Sequence, residues 1–378
     1  MIESYIQGAT SQLIERAMAL KGEIPKPPKM EFQALANECR RRIDESIKEL
    51  RAIRDDRDFE DPEDETLRLL EFRRVAAQID RVENAAIAAM ARSTEKESAV
   101  ASLLCQITKE IIYPIELPTA SLLSQNYFYV NTDFQLLCIP LMELHFLLHL
   151  PDIYHELAHP LFRAEDDPRT KGWLDAFRQA QRLISAYFTK QLVALESART
   201  TDTIRLAVSD AYKSWQCRWM EEFFCDLFGV FSVGPAFAWA HLHLHAERGR
   251  NAFQLPRRFS THPADAPRMT VMLDALTVLN QGKSAAEVET KWKKLLSIAG
   301  QTEPSDFQRY YPKHVLRECV EQAFEGFAAM GCKPWPGNDT DAIRRTLNEA
   351  WQRFWTAPQS FAAWEKEVTE ALIPSATS

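Results

Sequence analysis

The chain has 378 residues, 46% of them hydrophobic and 26% charged, and a formal net charge of −8. Its pI is about 5.7 and its mean hydropathy −0.31; this is the balance of a water-soluble globular protein, and it argues against a phosphate-tracking surface, so nucleic acid is not an expected partner. Seven scattered cysteines with no C-x-x-C pair, and a start (Met1-Ile2-Glu3-Ser4) with neither a basic nor an apolar run, fit reduced thiols in the cytoplasm.

A short helix is expected before Pro25 and Pro27-Pro28. From Phe32 to about Arg57, and again from Thr66 to about Ala91, apolar residues recur at helical spacing, and the acidic Glu60-Asp61-Pro62-Glu63-Asp64 separates the two runs. This pattern predicts a helical hairpin. Leu67, Leu70, Phe72, Val75, Ile79 and Val82 form the stripe of its second arm and are expected in the core. Arg40, Arg41 and Arg42 are followed by Asp44 and Glu45 and read as a solvated helix face.

After Pro114, Tyr127 to Val130 and Phe134 to Ile139 flank Asn131-Thr132-Asp133 in the manner of a β-hairpin. Leu141 to Leu150, Pro151 to Phe162, Trp173 to Ser197 and Thr203 to Val233 read as helices. Leu227 to His245 is long enough for a bilayer and carries no permanent charge. Gly234-Pro235 interrupts it, however, and Asp226 precedes it, so a buried helix pair is expected instead of a membrane span. Ala285 to Leu372 is helical again, broken at Gly300 to Ser305 and at Pro334 to Gly337. The fold class expected is mainly α with a small β-sheet, in three regions: a helical N-terminal region with the hairpin (1–115), a core (116–282) and a helical C-terminal region (283–378).

The core region contains His155-Glu156-Leu157-Ala158-His159, an H-E-x-x-H string in a helical context. Residues four apart on a helix share a face, with Cβ atoms roughly 5–6 Å apart, so both imidazoles reach one metal ion. Glu156 lies beside them, where it can take a proton from a water on the metal without being a ligand. A catalytic zinc site needs a third protein ligand and an open fourth position. Trp219 to Gly229 supplies candidates on another helix: Glu222 for the ion, and Asp226 one turn on to hold a ligand imidazole. Glu222 is preferred to Glu221 because it alone has an Asp four residues later, and Phe223, Phe224, Leu227 and Phe228 argue against both acids being solvated helix ends.

Other metal-ligating types receive structural readings. Cys225 is expected as a buried small apolar group, with ligation as its alternative role. His145 and His149 are expected as core or cleft-lining residues, and His241, His243 and His245 cannot present three rings on one helix face.

Ser260 to Met269 adds Thr261-His262-Pro263 in a Pro-rich turn, with Arg268 shortly after. Together, H-E-x-x-H, E-x-x-x-D and T-H-P resemble the gluzincins, and among them the CAAX prenyl endopeptidases and their bacterial heat-shock metalloprotease relatives. The resemblance implies a zincin-like core, a Zn²⁺ cofactor and a strand edge that receives an extended substrate, for which the Tyr127 to Ile139 hairpin is the candidate. It implies His155, His159 and Glu222 as metal ligands, Glu156 as base and Asp226 as supporting acid. His262 and Arg268 match the His and Arg of the late motif, with His262 suited to an oxyanion.

Two departures accompany it. The spanning helices of that membrane family are not in this sequence, so prenylated or membrane-embedded substrates do not carry over. Pro160, directly after the second histidine, predicts that the helix kinks or ends there. The function expected is a cytoplasmic zinc metallopeptidase, an endopeptidase acting on protein or peptide substrates. The alternatives are a non-catalytic, zinc-stabilised helical scaffold that binds a partner protein through its flanks, and a peptidase whose helical flanks cover the cleft.

Overall fold

The computed structural model describes residues 2–26, 29–55, 62–124, 127–197, 202–255, 260–337 and 341–373. The chain is mainly helical, with one three-stranded sheet. Its contacts define two units, one built from Met1–Ser102 with Pro118–Leu141 and the other from Leu103–Leu117 with Met142–Pro374.

The first unit opens with helices α1 (Ile2–Gly22), α2 (Gln33–Asp55) and α3 (Pro62–Arg81), and a π-helical turn over Val82–Ile87 prolongs α3 into α4 (Ala88–Ala91). Leu13, Ile14, Ala17 and Leu20 of α1 join Leu35, Cys39, Ile43, Ile47 and Leu50 of α2 and Val75 and Ile79 of α3 in one core. Their three- and four-residue spacing puts each set on one helix face, which is why these helices form and pack. The stripe on α3 turns inward only from Val75, because Leu67 and Leu70 are 56% and 53% exposed. Residues 56–61, with Glu60 and Asp61 of the acidic break, lie outside the described residues, and Pro62 to Asp64 belong to α3.

Strands β1 (Thr119–Ser121), β2 (Tyr129–Asn131) and β3 (Leu136–Cys138) form the sheet in the order β1-β3-β2. β2 and β3 pair antiparallel, with Tyr129 opposite Cys138, as the hairpin reading predicts; β1, not foreseen, pairs parallel to β3. Phe134 and Gln135 belong to the turn and not to the strand. Phe134 is buried there under the Arg42 guanidinium, 4.8 Å from its ring centroid, and Arg42 also donates to the Asp133 carbonyl. Arg42 therefore holds the hairpin turn, while Arg41 pairs with Glu38 and Glu45 at the surface, as a solvated face would.

Helix α5 (Glu95–Ile111) begins in the first unit and ends in the second. The second unit continues with α6 (Asp152–Ala158), α7 (Lys171–Ser197), α8 (Asp202–Ser214) and α9 (Met220–Val233), the last two joined through a π-helical turn at Trp215–Trp219. Then come α10 (Pro235–Arg248), α11 (Asp265–Val278), α12 (Gly282–Ile298), α13 (Phe307–Tyr310), α14 (Lys313–Ala329), α15 (Ala342–Thr356) and α16 (Pro358–Leu372). Every residue of α9 except Glu221 is buried, because α6, α7, α10, α11, α14 and α15 all pack on it. That explains the uncharged run from Leu227. The run bends at Gly234, whose φ of 68° favours glycine and where a side chain would collide with Trp335. Asn348 of α15 satisfies both helix ends at the bend, donating to the Val233 carbonyl (2.8 Å) and accepting from the Ala236 amide (3.1 Å).

Two expectations are corrected. Leu141 to Leu150 is not a helix but a series of turns around a short 3₁₀ segment, Glu143–His145. The Leu147 amide donates to Glu365 Oε1 at 2.8 Å instead of to a helical carbonyl. The three-region division also differs from the observed one, since α14 packs on α7 and α9, within the unit that holds the H-E-x-x-H string. No helix among the described residues is long and apolar enough to cross a membrane.

Candidate metal centre

Helix α6 is wholly buried and presents His155 and Glu156, and the chain then tightens into a 3₁₀ turn, His159–Phe162. Pro160 lacks the amide that would continue the helix, so the α-geometry ends where the sequence predicts. His159 keeps helical backbone angles (φ −56°, ψ −43°) despite the proline that follows, and its ring stays beside that of His155, with centroids 5.2 Å apart.

Opposite them, α9 aligns acids with imidazoles. His155 Nδ1 is 2.9 Å from Asp226 Oδ1, and His159 Nδ1 is 2.9 Å from Glu221 Oε1. The lower-numbered histidine meets the higher-numbered acid, so the two helices run in opposite directions here. With Nδ1–H donated to a carboxylate, each ring leaves its Nε2 lone pair for a metal. His155 Nε2 is 3.4 Å from Glu222 Oε2, and that oxygen is buried without a hydrogen-bond partner. A buried carboxylate oxygen is costly to leave unpaired, and a cation would satisfy it. Roughly tetrahedral coordination at about 2.0–2.2 Å puts neighbouring donor atoms about 3.3 Å apart, which the His155–Glu222 pair already approaches.

Asp226 sits against the His155 ring and Arg268 against Asp226, and Glu222 lies by His155; the donor group that includes both imidazoles is completed by Cys225, not by Glu222. Arg268 of α11 makes a two-pronged pair with Asp226, Nε to Oδ2 at 2.7 Å and Nη2 to Oδ1 at 2.6 Å, with Asp226 fully buried. Burial opposes the charge on Asp226, but Arg268 and His155 outweigh it and hold the carboxyl well below its usual range. His262 is exposed at the rim, with Nε2 3.6 Å from Glu222 Oε2 and Nδ1 2.9 Å from Thr261 Oγ1. Beside it lies a cavity of about 170 Å³ lined by Trp219, Asn251, Gln254, Asp265 and Tyr311 among others. Tyr311 fixes this turn by accepting the Ala264 amide on its hydroxyl at 3.1 Å.

The electrostatics ask for positive charge. Burial resists protonation of His155, yet the Asp226 and Glu222 carboxylates raise it to about 10. Glu222 is lowered to about 2, the pull of the histidines exceeding the cost of burial. Burial raises Glu156 above its usual range.

Two residues complicate or extend the sequence reading. Cys225 Sγ, His155 and His159 offer donor atoms within 4.8 Å of one another. Its Sγ lies 3.5 Å from His159 Nδ1, the nitrogen already held by Glu221, and burial drives the thiol well up, away from the thiolate a metal binds. Glu222 instead offers a carboxylate oxygen 3.4 Å from His155 Nε2 and 3.6 Å from His262 Nε2. Glu221, which the sequence reading set aside in favour of Glu222, meets His159 Nδ1; its place five residues before Asp226, against four between the histidines, is the signal the sequence offers. No family model, curated protein or solved structure matches this chain.

Proposed function

We propose that the chain is a zinc-dependent peptidase with a zincin-like core, in which His155, His159 and Glu222 hold the ion. The observation that carries this reading is the pairing of Asp226 with His155 and Glu221 with His159 opposite the buried, unpartnered oxygen of Glu222. A bound zinc ion supplies Lewis acidity, polarising a carbonyl and lowering the pKa of water toward about 7. Glu156 takes one proton from the attacking water as the new C–O bond forms. It then delivers that proton to the amide nitrogen as the C–N bond breaks, and the proton still on the added oxygen passes to the freed amine, leaving a carboxylate and an ammonium group. His262, at the rim, donates a hydrogen bond to the oxygen on which negative charge develops. The cavity beside His262 takes a substrate side chain, and Arg268 keeps Asp226 ionised so that His155 retains its tautomer.

A Glu156→Gln chain is expected to bind zinc as the wild type does and to cleave an unfolded protein substrate about 10²- to 10⁴-fold more slowly. Undiminished cleavage by that variant rejects the mechanism. Proximity of Cys225 to both imidazoles is what favours the second reading, a closed structural site. Cobalt substitution separates the two, because thiolate-to-cobalt charge transfer requires Cys225 as a ligand, whereas the peptidase reading expects none.

A further inference from the structure

Away from the H-E-x-x-H string, a second group of donors converges within the same unit. His243 and Glu247 lie one turn apart on α10, and His149 precedes α6 in the segment that was expected to be helical and is not. Glu247 stands between the two rings, with Oε1 3.3 Å from His243 Nε2 and Oε2 3.9 Å from His149 Nε2. One donor atom from each of the three lies within 4.8 Å of the other two. Donors on a common zinc ion stand about 3.3 Å apart, the separation of His243 Nε2 and Glu247 Oε1 here, and His149 Nε2 lies 3.9 Å from the other Glu247 oxygen.

Both rings are held for this. The Glu143 carboxylate hydrogen-bonds His149 Nδ1 and leaves Nε2 turned toward Glu247, the arrangement that orients metal-binding imidazoles. His243 packs edge-on against Trp351 and Phe354 of α15, with centroids at 5.7 and 6.1 Å, and its ring lies 5.2 Å from that of His149. The spacing explains why the sequence did not reveal the site: His241 and His245 point elsewhere, both contacting Asp265, and only the middle histidine of the H-x-H-x-H string faces His149.

We infer that His149, His243 and Glu247 form a second transition-metal site, with Glu143 as the residue that positions His149. Two imidazoles and one carboxylate suit zinc, cobalt, nickel or copper better than calcium or magnesium. An ion there ties the irregular segment leading into α6 to α10, and it does so whether or not the chain is a hydrolase.

The test is equilibrium dialysis of the full chain against zinc(II) alone, with folding followed by circular dichroism. His149→Ala and His243→Ala are each expected to lose one equivalent of bound zinc. A His155→Gln/His159→Gln double variant reports the first centre separately, so failure of one site is distinguishable from failure of the other. Glu143→Gln is expected to keep the stoichiometry and weaken the second site by about 10- to 100-fold. Should an imidazole variant fail to fold, Glu247→Gln decides, since that side chain is 48% exposed. Binding at least roughly tenfold weaker supports the site, and wild-type stoichiometry and affinity in the folded variants overturn it.

Discussion

Asp226 holds two partners at once, His155 through Nδ1 and Arg268 through both oxygens, with no solvent to share the load. Replacing it by Asn removes the charge but little volume. Arg268, largely buried, then loses its two-pronged partner and keeps only the more distant Glu222 and Asp265, a loss of about 1–3 kcal/mol, and His155 loses the acceptor that sets its tautomer, for about 10- to 100-fold in metal affinity. Asp226→Asn is therefore expected to lower both the melting temperature and zinc affinity. Glu221→Gln should lower affinity with much less effect on melting, because no buried cation depends on Glu221 among the contacts that hold it. Equal melting temperatures for the two variants would count against the Arg268 argument. The contrast also marks what was legible at this scale. Glu222 and Asp226 follow from helical spacing alone, and His262 and Arg268 from the resemblance. Glu221 is not legible from spacing alone, because spacing on one helix does not say that the opposed helix brings a second imidazole, His159, within 2.9 Å of it.

Helix α7 crosses α14 at two glycines. A Cβ on Gly172 would sit 2.5 Å from Ala329 Cβ, and one on Gly326 would sit 2.8 Å from Ala176 Cβ and 3.2 Å from the Gly172 carbonyl oxygen. Alanine in a helix interior ordinarily gains about 1 kcal/mol over glycine, so the sign of each substitution measures the closeness of the crossing. Overpacking costs about 1–3 kcal/mol, and the neighbouring atoms are backbone or Cβ and cannot rotate away, so Gly326→Ala is expected to destabilise despite its propensity. A raised melting temperature would show that the helices can separate at little cost. Amphipathic patterning revealed α7 itself, along with α2, α3 and the continuous α8–α9 stretch, but no pattern in one helix announces which glycines a distant helix will need. The Leu141 to Leu150 reading failed for the complementary reason. In the run between the two prolines Leu144, Leu147, Leu148 and Leu150 are buried without helix periodicity while Leu141, Met142 and Phe146 stay exposed, and a distant side chain, Glu365, accepts the Leu147 amide. Leu67 and Leu70 look like core in the pattern, yet they stay exposed, and the buried residue between them is Arg68, which donates to the Ile53 carbonyl of α2 at 2.8 Å.

At the scale of the whole chain, the helices beyond Gly282 are part of the unit that carries the metal centre, and this bears on whether they act as a removable cover. Phe327 of α14 packs on Phe228 and Phe231 of α9 with centroids 5.3 and 5.7 Å apart, Phe324 packs on Phe231, and Asn348 and Arg344 of α15 hold the carbonyls of Val233 and Ser232. Each large apolar side chain returned to water costs about 1.5–3 kcal/mol, and several of them together match the whole stability of a typical domain, about 5–15 kcal/mol. A chain ending at Gly282 is therefore expected to lose cooperative melting of this unit and, with α9 stripped of α14 and α15, to lose the zinc binding proposed for His155, His159 and Glu222. An autoinhibitory cover demands the opposite, a truncated chain that folds, binds zinc and cleaves faster. Circular dichroism melts and zinc dialysis of the 1–282 fragment separate the two, and a cooperative transition with full zinc capacity would reverse the conclusion that these helices complete the core.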